Sequence, residues 1–502
     1  MSPKAPAEPL IAVLGATGTG KSQLAVDIAT RFNGEIINGD AMQMYRGLPV
    51  ITNQIPLEER QCIPHHLLAC RDFDQEPWRI SHFKTECLRT IKEIRARGKV
   101  PVLVGGTHYY TQAVMFREAI LDGSERDEVS EENRKMREGS GVDSSETVTS
   151  TPRSEDFSIL DETPEVILQK LREVDPVMAG RWHPNETRKI RRSLEIYLQT
   201  GRPASEIYQE QQRLKNASNS LQPQDESLSG SPGAGQLRFP TLIFWVYTKD
   251  SELTRRLIRR VDNMAEQGLV AEAETLFNYL NEKKAQGIEV DRTRGIWVSM
   301  GFKELEPYFE ALSTSSRVDG DAKTASEKQL AQLKEICLAR IKTATRQYSR
   351  QQIKWIRCKL WTALSDAHAQ RQLYVVDSTD VSAWDSAVRK PAEQVVEAFL
   401  TGGPEQCPDP KELSKTAREV FETHLQKALV VEERTVHRVR TCEVCNVTMQ
   451  SDEQWETHVN GRRHKGAVKG AERRKARDEY FEACRREKSE ADAADEGGSE
   501  SE

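Results

Sequence analysis

Short apolar runs recur along this chain, and glycine or polar residues bound each of them. Five runs have the length of buried β-strands, and they span residues 10–14, 35–38, 100–104, 241–247 and 373–376. Helical patterns separate the first three runs, and the first run leads through Gly15 into a helical stretch at about 20–32. Short buried strands that alternate with helices are typical of a parallel sheet. The pattern therefore predicts an α/β fold, a parallel sheet flanked by helices.

The pattern changes between about residues 116 and 240, where strand-like runs are missing. Apolar positions at helical spacing fall at 166–174 and 188–200 instead. Two tracts in this region, 123–163 and 216–236, are rich in Ser, Glu, Gly and Pro, a composition that favours surface loops or disorder. We therefore expect a helical insertion into the sheet domain.

Composition divides the chain again after Gly402, Gly403 and Pro404, where charged residues become frequent. The sequence predicts a series of segments along the chain. They are the first part of the sheet core (1–120), the helical insertion (121–236), the rest of the core with its helices (237–402), a helical linker (403–439), a Cys/His unit with a basic helix (440–480) and an acidic, disordered tail (481–502).

The overall composition excludes several classes of protein. Of the 502 residues, 37% are hydrophobic and 30% are charged, and every apolar run falls far short of the roughly 20 residues of a bilayer span. The N-terminus lacks both an apolar signal core and an Arg-rich transit pattern. The nine cysteines are mostly scattered singly, as in proteins of a reducing compartment. We expect a cytoplasmic monomer without a membrane segment, and the nucleus and the mitochondrion stay open as further compartments.

A glycine loop follows the first predicted strand. It reads Gly-Ala-Thr-Gly-Thr-Gly-Lys-Ser over residues 15–22, the pattern in which backbone amides wrap phosphate oxygens. Lys21 adds positive charge, and the Ser22 hydroxyl can bind Mg²⁺. The candidate phosphate-binding residues are Gly15, Thr17, Gly18, Thr19, Gly20, Lys21 and Ser22. The alternative is a glycine turn that merely ends a strand, and the loop by itself leaves kinase, nucleotidase and transferase activities open.

Two further loops follow predicted strands and carry reactive side chains. Asp40 comes after the strand at 35–38, and Thr107 comes after the strand at 100–104. Open α/β sheets bind ligands at the carboxyl ends of their strands, so both side chains are expected at the same edge as the glycine loop. Asp40 is a candidate base or metal-associated carboxylate. Its alternative role is to cap the next helix, and the spacing does not separate the two roles.

Basic residues gather in three segments, although the net charge of the whole chain is −6. The segments are 181–197, 255–260 and 346–359, and the first also carries an aromatic ring and an apolar helix face. Each segment alone is more typical of a solvated helix face. Together they favour binding to a polyanion such as RNA. The residues predicted to contact RNA from the first segment are Arg188, Lys189, Ile190, Arg191 and Arg192.

Several segments, in order and across about residues 10–400, resemble the tRNA dimethylallyltransferases, also called tRNA isopentenyltransferases. They are the glycine loop, 40–45, 104–107, 183–203, 301–304, and 345–348 with Trp355. The resemblance implies that the loop holds dimethylallyl diphosphate with Mg²⁺. It also implies that the acceptor is the exocyclic amine of the adenosine on the 3′ side of the tRNA anticodon, which would become N6-isopentenyladenosine.

The resemblance further implies roles for single residues. Asp40 would act as the base on the acceptor amine. Lys21, Thr107 and Arg256 would lie on the diphosphate side of the reaction. The residues expected to contact tRNA in the loop after the second strand are Asp40, Ala41, Met42 and Gln43.

The chain departs from the family pattern at three positions. Ala16, Ala41 and His108 stand where Pro, Ser and Gly are common, and the last change alters the flexibility of its loop. None of these changes removes a phosphate donor or the carboxylate. Two other functions stay open: a P-loop kinase of a small metabolite, which would transfer or hydrolyse a γ-phosphate, and a non-catalytic RNA-binding protein.

Four residues of the C-terminal part have the spacing of a zinc site. Cys442, Cys445, His458 and His464 follow the pattern Cys-x2-Cys-x12-His-x5-His, which offers two thiolates and two imidazoles to a tetrahedral ion. The wide gap between the histidines, together with Trp455, resembles a matrin or U1-type zinc finger, a class often associated with RNA. We expect a small ββα-like finger whose structural Zn²⁺ does no chemistry.

Overall fold

The computed structural model describes residues 6–117, 158–182, 184, 186–210, 213, 235–315, 321–425, 437–445, 447–473 and 475–477. Most of the two polar tracts, the tail at 481–502, His183 and Asn185 lie outside the described residues. The chain divides into two compact units. One consists of Met1–Lys135 with Gln211–Leu429, and the other of Met136–Glu210 with Val430–Glu502.

Parallel strands form the sheet of the first unit. They are β1 (Leu10–Gly15), β2 (Gly34–Asn38), β3 (His65–His66), β4 (Val100–Val104), β5 (Thr241–Tyr247) and β6 (Leu373–Asp377). Their order across the sheet is β3-β2-β4-β1-β5-β6, and every neighbouring pair is parallel. The predicted parallel sheet is confirmed, and β1 lies in its middle. The short edge strand β3 is an addition that the sequence pattern did not predict.

Helices flank this sheet and make up most of the described part of the second unit. In chain order they are α1 (Lys21–Arg31), α2 (Ile80–Ala96), α3 (His108–Met115), α4 (Pro164–Val174), α5 (Pro176–Arg181), α6 (Thr187–Thr200), α7 (Asp250–Glu266), α8 (Leu269–Ala285), α9 (Phe302–Ser315), α10 (Asp321–Trp355), α11 (Trp361–Asp366), α12 (Lys390–Gly402), α13 (Lys415–Val420) and α14 (Asp452–Asn460). Within the described part of the chain, no helix combines the length and the apolar character that a membrane crossing requires.

The sheet is buried on both faces. In β1, Ile11 and Val13 pack in the cluster that contains α1 and α12, whereas Leu10 and Leu14 pack in the cluster that contains α2, α3 and α11. All four side chains are fully excluded from solvent. Each contributes about 2 kcal/mol through its buried apolar area. This two-sided core fixes the strands whose carboxyl ends carry the predicted site.

A third apolar cluster holds the segment that follows β2. Tyr45 and Ile51 pack with side chains of α8, α9 and α10. The two carboxylate oxygens of Glu272 on α8 accept hydrogen bonds from the backbone nitrogens of Val50 and Ile51, at 2.9 and 2.7 Å. The loop that begins at Asp40 is therefore anchored by helices from the C-terminal half of the first unit.

The second unit contains the predicted helices of the insertion. Leu171 of α4, Met178 of α5 and Leu194 of α6 are all buried. The Asp175 carboxylate joins two turns of this bundle, since it accepts hydrogen bonds from the backbone nitrogens of Met178 at 3.0 Å and Ser205 at 2.8 Å. The helical patterns predicted for this region are confirmed.

The C-terminal part of the second unit has the order strand, strand, helix. Strands β7 (His437–Cys442) and β8 (Val447–Ser451) pair in antiparallel fashion, and α14 follows directly. Residues 462–473 are again helical. This arrangement confirms the ββα-like finger that the cysteine and histidine spacing indicates.

Candidate active site and zinc centre

The glycine loop joins β1 to α1 and folds back on its own backbone. The Thr19 hydroxyl donates to the Ala16 carbonyl at 2.9 Å, and Lys21 Nζ donates to the same carbonyl at 2.8 Å. Gly20 has a φ of 93°, which favours glycine, and a Cβ there would lie 2.7 Å from the ring of Trp384. The loop ends at the amino terminus of α1, where backbone N–H groups and the helix dipole favour an anion.

The segment after β6 braces this loop. The Ser378 hydroxyl donates to the Thr19 carbonyl at 2.8 Å, and the indole N–H of Trp384 donates to Asp27 of α1 at 2.9 Å. Arg256 on α7 donates to the carbonyls of Ser378 and of the residue after it, at 2.6 and 2.7 Å. Arg256 thus stabilises the segment after β6 that contacts the glycine loop. Its role towards the diphosphate stays a prediction.

Asp40 uses its two carboxylate oxygens in different ways. Oδ1 accepts a hydrogen bond from the Met42 backbone nitrogen at 3.1 Å and so satisfies the first N–H of the short helical turn at Met42–Met44, whose cap position itself is Ala41. Oδ2 lies on the side of Gly106, where an added Cβ would come within 3.1 Å of it. Burial raises the pKa of this carboxyl, and the backbone amide and the cations Lys21 and Arg260 oppose the shift. The capping role and a role as base are compatible because they use different oxygens.

Thr107 lies at the end of β4 with its hydroxyl bonded on two sides. Its oxygen accepts a hydrogen bond from the Ala41 backbone nitrogen at 3.1 Å, and its side chain also bonds with Tyr348 of α10. Burial raises the pKa of the Tyr348 phenol. The next residue, His108, is buried and stacks on Trp355 with 5.1 Å between ring centroids. Ring packing therefore fixes this loop at the position where the family pattern has a flexible glycine.

Two cations interact with Asp40 at this edge of the sheet. Burial lowers the pKa of Lys21 to about 8, while Asp40 opposes the shift and Arg260 adds to it. Burial likewise lowers the pKa of Arg260 to about 10, again opposed by Asp40. The sequence pattern singled out Arg256 and not Arg260. The spacing of four residues on one helix is the signal that could have indicated that both lie on the same face.

The other loop residues expected to contact tRNA are held by the first unit. The Gln43 side chain donates to the Asn53 carbonyl at 3.0 Å, and Met42 packs against the third apolar cluster. The Ala41 backbone nitrogen donates the hydrogen bond that the Thr107 hydroxyl accepts. The structure thus brings Asp40, Thr107 and the glycine loop together, with Gln43 and Met42 in the same ordered segment.

The basic residues of α6 have partners inside the second unit. Lys189 and Arg192 form ion pairs with neighbouring glutamates, and Arg191 donates to a backbone carbonyl. Ile190 is fully buried, so its side chain lies on the inner face of α6 and away from solvent. The side chain of Arg188 lies outside the described side chains. The contacts of these residues with RNA stay predictions.

The predicted zinc ligands come together in the finger. The ligand atoms of Cys442, Cys445, His458 and His464 all lie within 4.8 Å of one another. Both cysteine Sγ atoms are 3.5 Å from Nδ1 of His464, and Nε2 of His458 is buried without a hydrogen-bond partner among the described residues. A buried imidazole nitrogen that no protein group satisfies fits the role of a metal ligand. Two thiolates and two imidazoles in one cluster support a structural Zn²⁺.

Family models and known proteins match this chain over most of its length. A model described as IPP transferase matches residues 43–359, and one described as a zinc-finger of C2H2 type matches residues 440–464. The tRNA dimethylallyltransferase of Schizosaccharomyces pombe is 35% identical over 483 residues, which cover 94% of this chain and 97% of that protein. The protein of the same name from Saccharomyces cerevisiae is 34% identical and covers 92% of each chain.

A solved structure shares this fold. It comes from a crystallographic study of a eukaryotic dimethylallyltransferase acting on tRNA, and it is 30% identical to this chain with a TM-score of 0.68. The match covers 95% of this chain and 100% of that one. The likeness in structure therefore extends over nearly the whole chain.

Proposed function

The chain belongs to the IPP transferase family, and from this membership we propose that it transfers a dimethylallyl group from dimethylallyl diphosphate to tRNA. The acceptor is the exocyclic amine of the adenosine on the 3′ side of the anticodon, and the product is N6-isopentenyladenosine. The observation that carries the proposal is the meeting of three loops at one edge of the sheet. These are the glycine loop after β1, the Asp40 loop after β2 and the Thr107 loop after β4.

The donor side of the reaction needs positive charge. As the bond between the allylic carbon and oxygen breaks, its electron pair leaves with the diphosphate, which gains negative charge. Lys21, the backbone amides of the glycine loop and Arg260 can stabilise that charge. Because Lys21 and Arg260 are half-buried, their charges are screened less than those of surface residues.

Magnesium is a further component of this proposal. The Ser22 hydroxyl lies in the first turn of α1, a turn without acidic residues, and it offers the kind of oxygen ligand that Mg²⁺ prefers. When bound, the ion would neutralise part of the diphosphate charge. Ser22 would hold it together with oxygens of the donor.

The acceptor side of the reaction needs a base. The amine nitrogen forms a bond to the allylic carbon and must lose a proton, which Oδ2 of Asp40 can accept. The raised pKa of this carboxyl makes it a stronger base than an exposed aspartate. Thr107, in the neighbouring loop, would bind the diphosphate side of the donor.

The tRNA must deliver one nucleotide to this edge of the sheet. A base stacked inside the anticodon loop cannot reach a donor held at the glycine loop, so we propose that the nucleotide is extruded from the stack. The helical insertion and the finger would hold the RNA backbone. Their basic side chains, including Arg192 of α6 and Lys469 beyond the finger, supply the charge for such contacts.

We also propose the predicted domain boundaries with one refinement. Ala417 and Val420 of α13 pack into the core cluster on one face of the sheet. The first half of the segment 403–439 therefore belongs with the sheet domain. The proposed enzyme is a cytoplasmic monomer.

The experiment that tests the function combines the purified chain with tRNA and dimethylallyl diphosphate. Mass spectrometry of the digested nucleosides should show adenosine that carries one dimethylallyl group. ATP serves as the alternative substrate in a parallel reaction. Phosphate release from ATP without any prenylated nucleoside would contradict the proposal and favour a kinase.

A further inference from the structure

The side chain of Gln352 on α10 connects the glycine loop with the loop that carries Thr107, and the proposed reaction requires a fixed distance between these two loops. Gln352 is buried, with 4% of its surface exposed. Its Oε1 accepts a hydrogen bond from the Thr17 backbone nitrogen at 2.8 Å, and its Nε2 donates to the Gly106 carbonyl at 2.9 Å. The first contact lies in the glycine loop, and the second lies in the loop that carries Thr107. A single amide group therefore connects the glycine loop with the loop that lies beside Asp40.

The surroundings of this amide restrict its position. The Tyr348 phenol, one turn earlier on α10, interacts with the side chains of both Thr107 and Gln352. An added Cβ at Gly106 would lie 2.5 Å from Nε2 of Gln352 and 3.1 Å from Oδ2 of Asp40. The amide thus occupies the space beside the carboxylate itself. Any shift of Gln352 would move Gly106 and the neighbouring Thr107 relative to the glycine loop.

Only one type of side chain meets these requirements. The position needs an acceptor for one backbone N–H and a donor for one carbonyl at the end of a side chain of this length. Glutamate has the length but lacks the donor, methionine has the length but neither group, and asparagine is shorter by one methylene. Loss of either hydrogen bond would also leave a backbone group buried without its partner.

We propose that Gln352 is a positioning residue that sets the spacing between the glycine loop and the pair Asp40 and Thr107. This proposal rests on the proposed function, since it assumes that donor and acceptor react across this gap. Bond formation between two bound substrates depends steeply on distance, and a misplacement of about 1 Å costs about 100-fold in rate. Gln352 acts on that distance without touching the reacting atoms.

The test uses three variants in the full-length chain. Gln352→Met removes both hydrogen bonds at similar volume, and Gln352→Glu keeps the acceptor for Thr17 but removes the donor to Gly106. Gln351→Met is the matched control, because Gln351 is the preceding residue on the same helix and is exposed. For each variant the measurements are the single-turnover rate with both substrates saturating, the affinity for inorganic pyrophosphate, the affinity for unmodified tRNA and the melting temperature.

The expected result is a separation of rate from binding. Gln352→Met should lower the single-turnover rate about 30- to 100-fold, while both affinities change less than about threefold. Gln352→Glu should also lower the rate, because the loss of the hydrogen bond to the Gly106 carbonyl lets the loop that carries Thr107 move. Gln351→Met should behave like the unmodified chain.

Other outcomes would overturn the proposal. An unchanged rate in Gln352→Met, or a loss of pyrophosphate or tRNA affinity as large as the loss of rate, would show that the amide only supports local folding. If Gln352→Met does not fold, Gln352→Glu decides, and a normal rate in that variant removes the positioning role. Failure of the proposed function is distinguishable, because the unmodified chain would then form no prenylated nucleoside in the same assay.

Discussion

The proposed catalytic edge of the sheet and the zinc finger are built from the sequence in opposite ways. All four zinc ligands come from residues 442–464, and their spacing alone places them in one cluster. The catalytic edge instead collects Lys21, Asp40, Thr107, Gln352 and Ser378 from almost the whole length of the first unit. A site whose residues lie close together in the sequence can be recognised as a motif. A site assembled from distant segments can be recognised in the sequence only through those residues that directly follow a predicted strand.

The two regions also differ in what stabilises them. The sheet has apolar clusters on both faces and needs no metal for its core. The finger has few described buried apolar residues, among them Cys442 and Met449, so its fold depends on the ion. Loss of one side-chain contact should therefore lower the reaction rate at the sheet edge, whereas loss of one zinc ligand should unfold the finger.

The largest expected effect concerns Asp40, the proposed base at the assembled edge. Asp40→Asn should lower the rate of prenyl transfer about 10²- to 10⁴-fold, because asparagine cannot accept the amine proton. Its side-chain oxygen can still accept the hydrogen bond from the Met42 nitrogen, so the melting temperature should change little. Single-turnover rates and thermal melts of the same samples test this. A fall in melting temperature with a normal rate would show that Asp40 is chiefly a cap.

The next effect concerns Lys21 and depends on pH. Lys21→Ala should weaken donor use by about 2–4 kcal/mol, since one charged donor to the diphosphate is lost. In the unmodified chain the pKa of Lys21 is lowered to about 8, so the residue is charged below that pH and loses its charge above it. Pyrophosphate affinity should thus be steady below pH 8 and fall above it. Lys21→Arg should flatten this fall, and a fall of the same size in that variant would contradict the assignment.

A smaller effect is expected for the stability of the sheet. Glu35 in β2 is buried and pairs with Arg97 at 2.6 Å, His66 at 2.7 Å and Lys99 at 3.1 Å. These partners outweigh burial and hold the pKa of Glu35 at about 2. Its stabilisation is therefore complete above the ordinary pKa of 4.5 and is lost as the pH falls towards 2.

Replacement of the Glu35 carboxylate should show how much its ion pairs contribute to the free energy of unfolding of the sheet domain. Glu35→Gln should lower the free energy of unfolding by about 2–3 kcal/mol at neutral pH, because the two cations Arg97 and Lys99 lose their counter-charge. Glu93→Gln is the control, since Glu93 forms only an exposed pair with Arg89 and should change stability by less than about 1 kcal/mol. Urea denaturation of the three proteins measures both values. Equal values for the two variants would contradict the prediction.

The smallest effect on catalysis is expected from the finger. Cys442→Ser should unfold the finger alone, because the ion loses a ligand and the module is small. The rate at saturating tRNA should stay nearly the same, while the tRNA concentration needed for half that rate should rise about tenfold and depend less on salt. Cys62→Ser, which changes an exposed cysteine of the first unit, is the control. A collapse of the saturating rate would show that the finger helps to form the active site.

The sequence predicts the parts of this molecule whose signals are local. Five strands, the glycine loop and the zinc ligands all carry such signals, and the structure has them where they were predicted. Strand β3 was missed because it consists of His65 and His66 alone, without an apolar run. Arg260 and Gln352 could not be singled out, because helix packing alone determines which face of α7 and α10 meets the loops. Spacing along a helix shows which residues share a face but not where that face points.

The central place of β1 has a consequence for the synthesis of the protein. Its neighbour β5 begins at Thr241, about 230 residues after Leu10, and Ser378, which braces the glycine loop, comes later still. A ribosome that adds about 5–20 residues per second needs roughly 20–70 s to travel from Gly15 to Ser378. Until Tyr247 has been made, the nascent chain has β1 and one side of the sheet, and the edge of β1 that pairs with β5 stays unpaired. The N-terminal motif is thus translated first and finished last, and the unpaired edge is where chaperones would have to protect this chain.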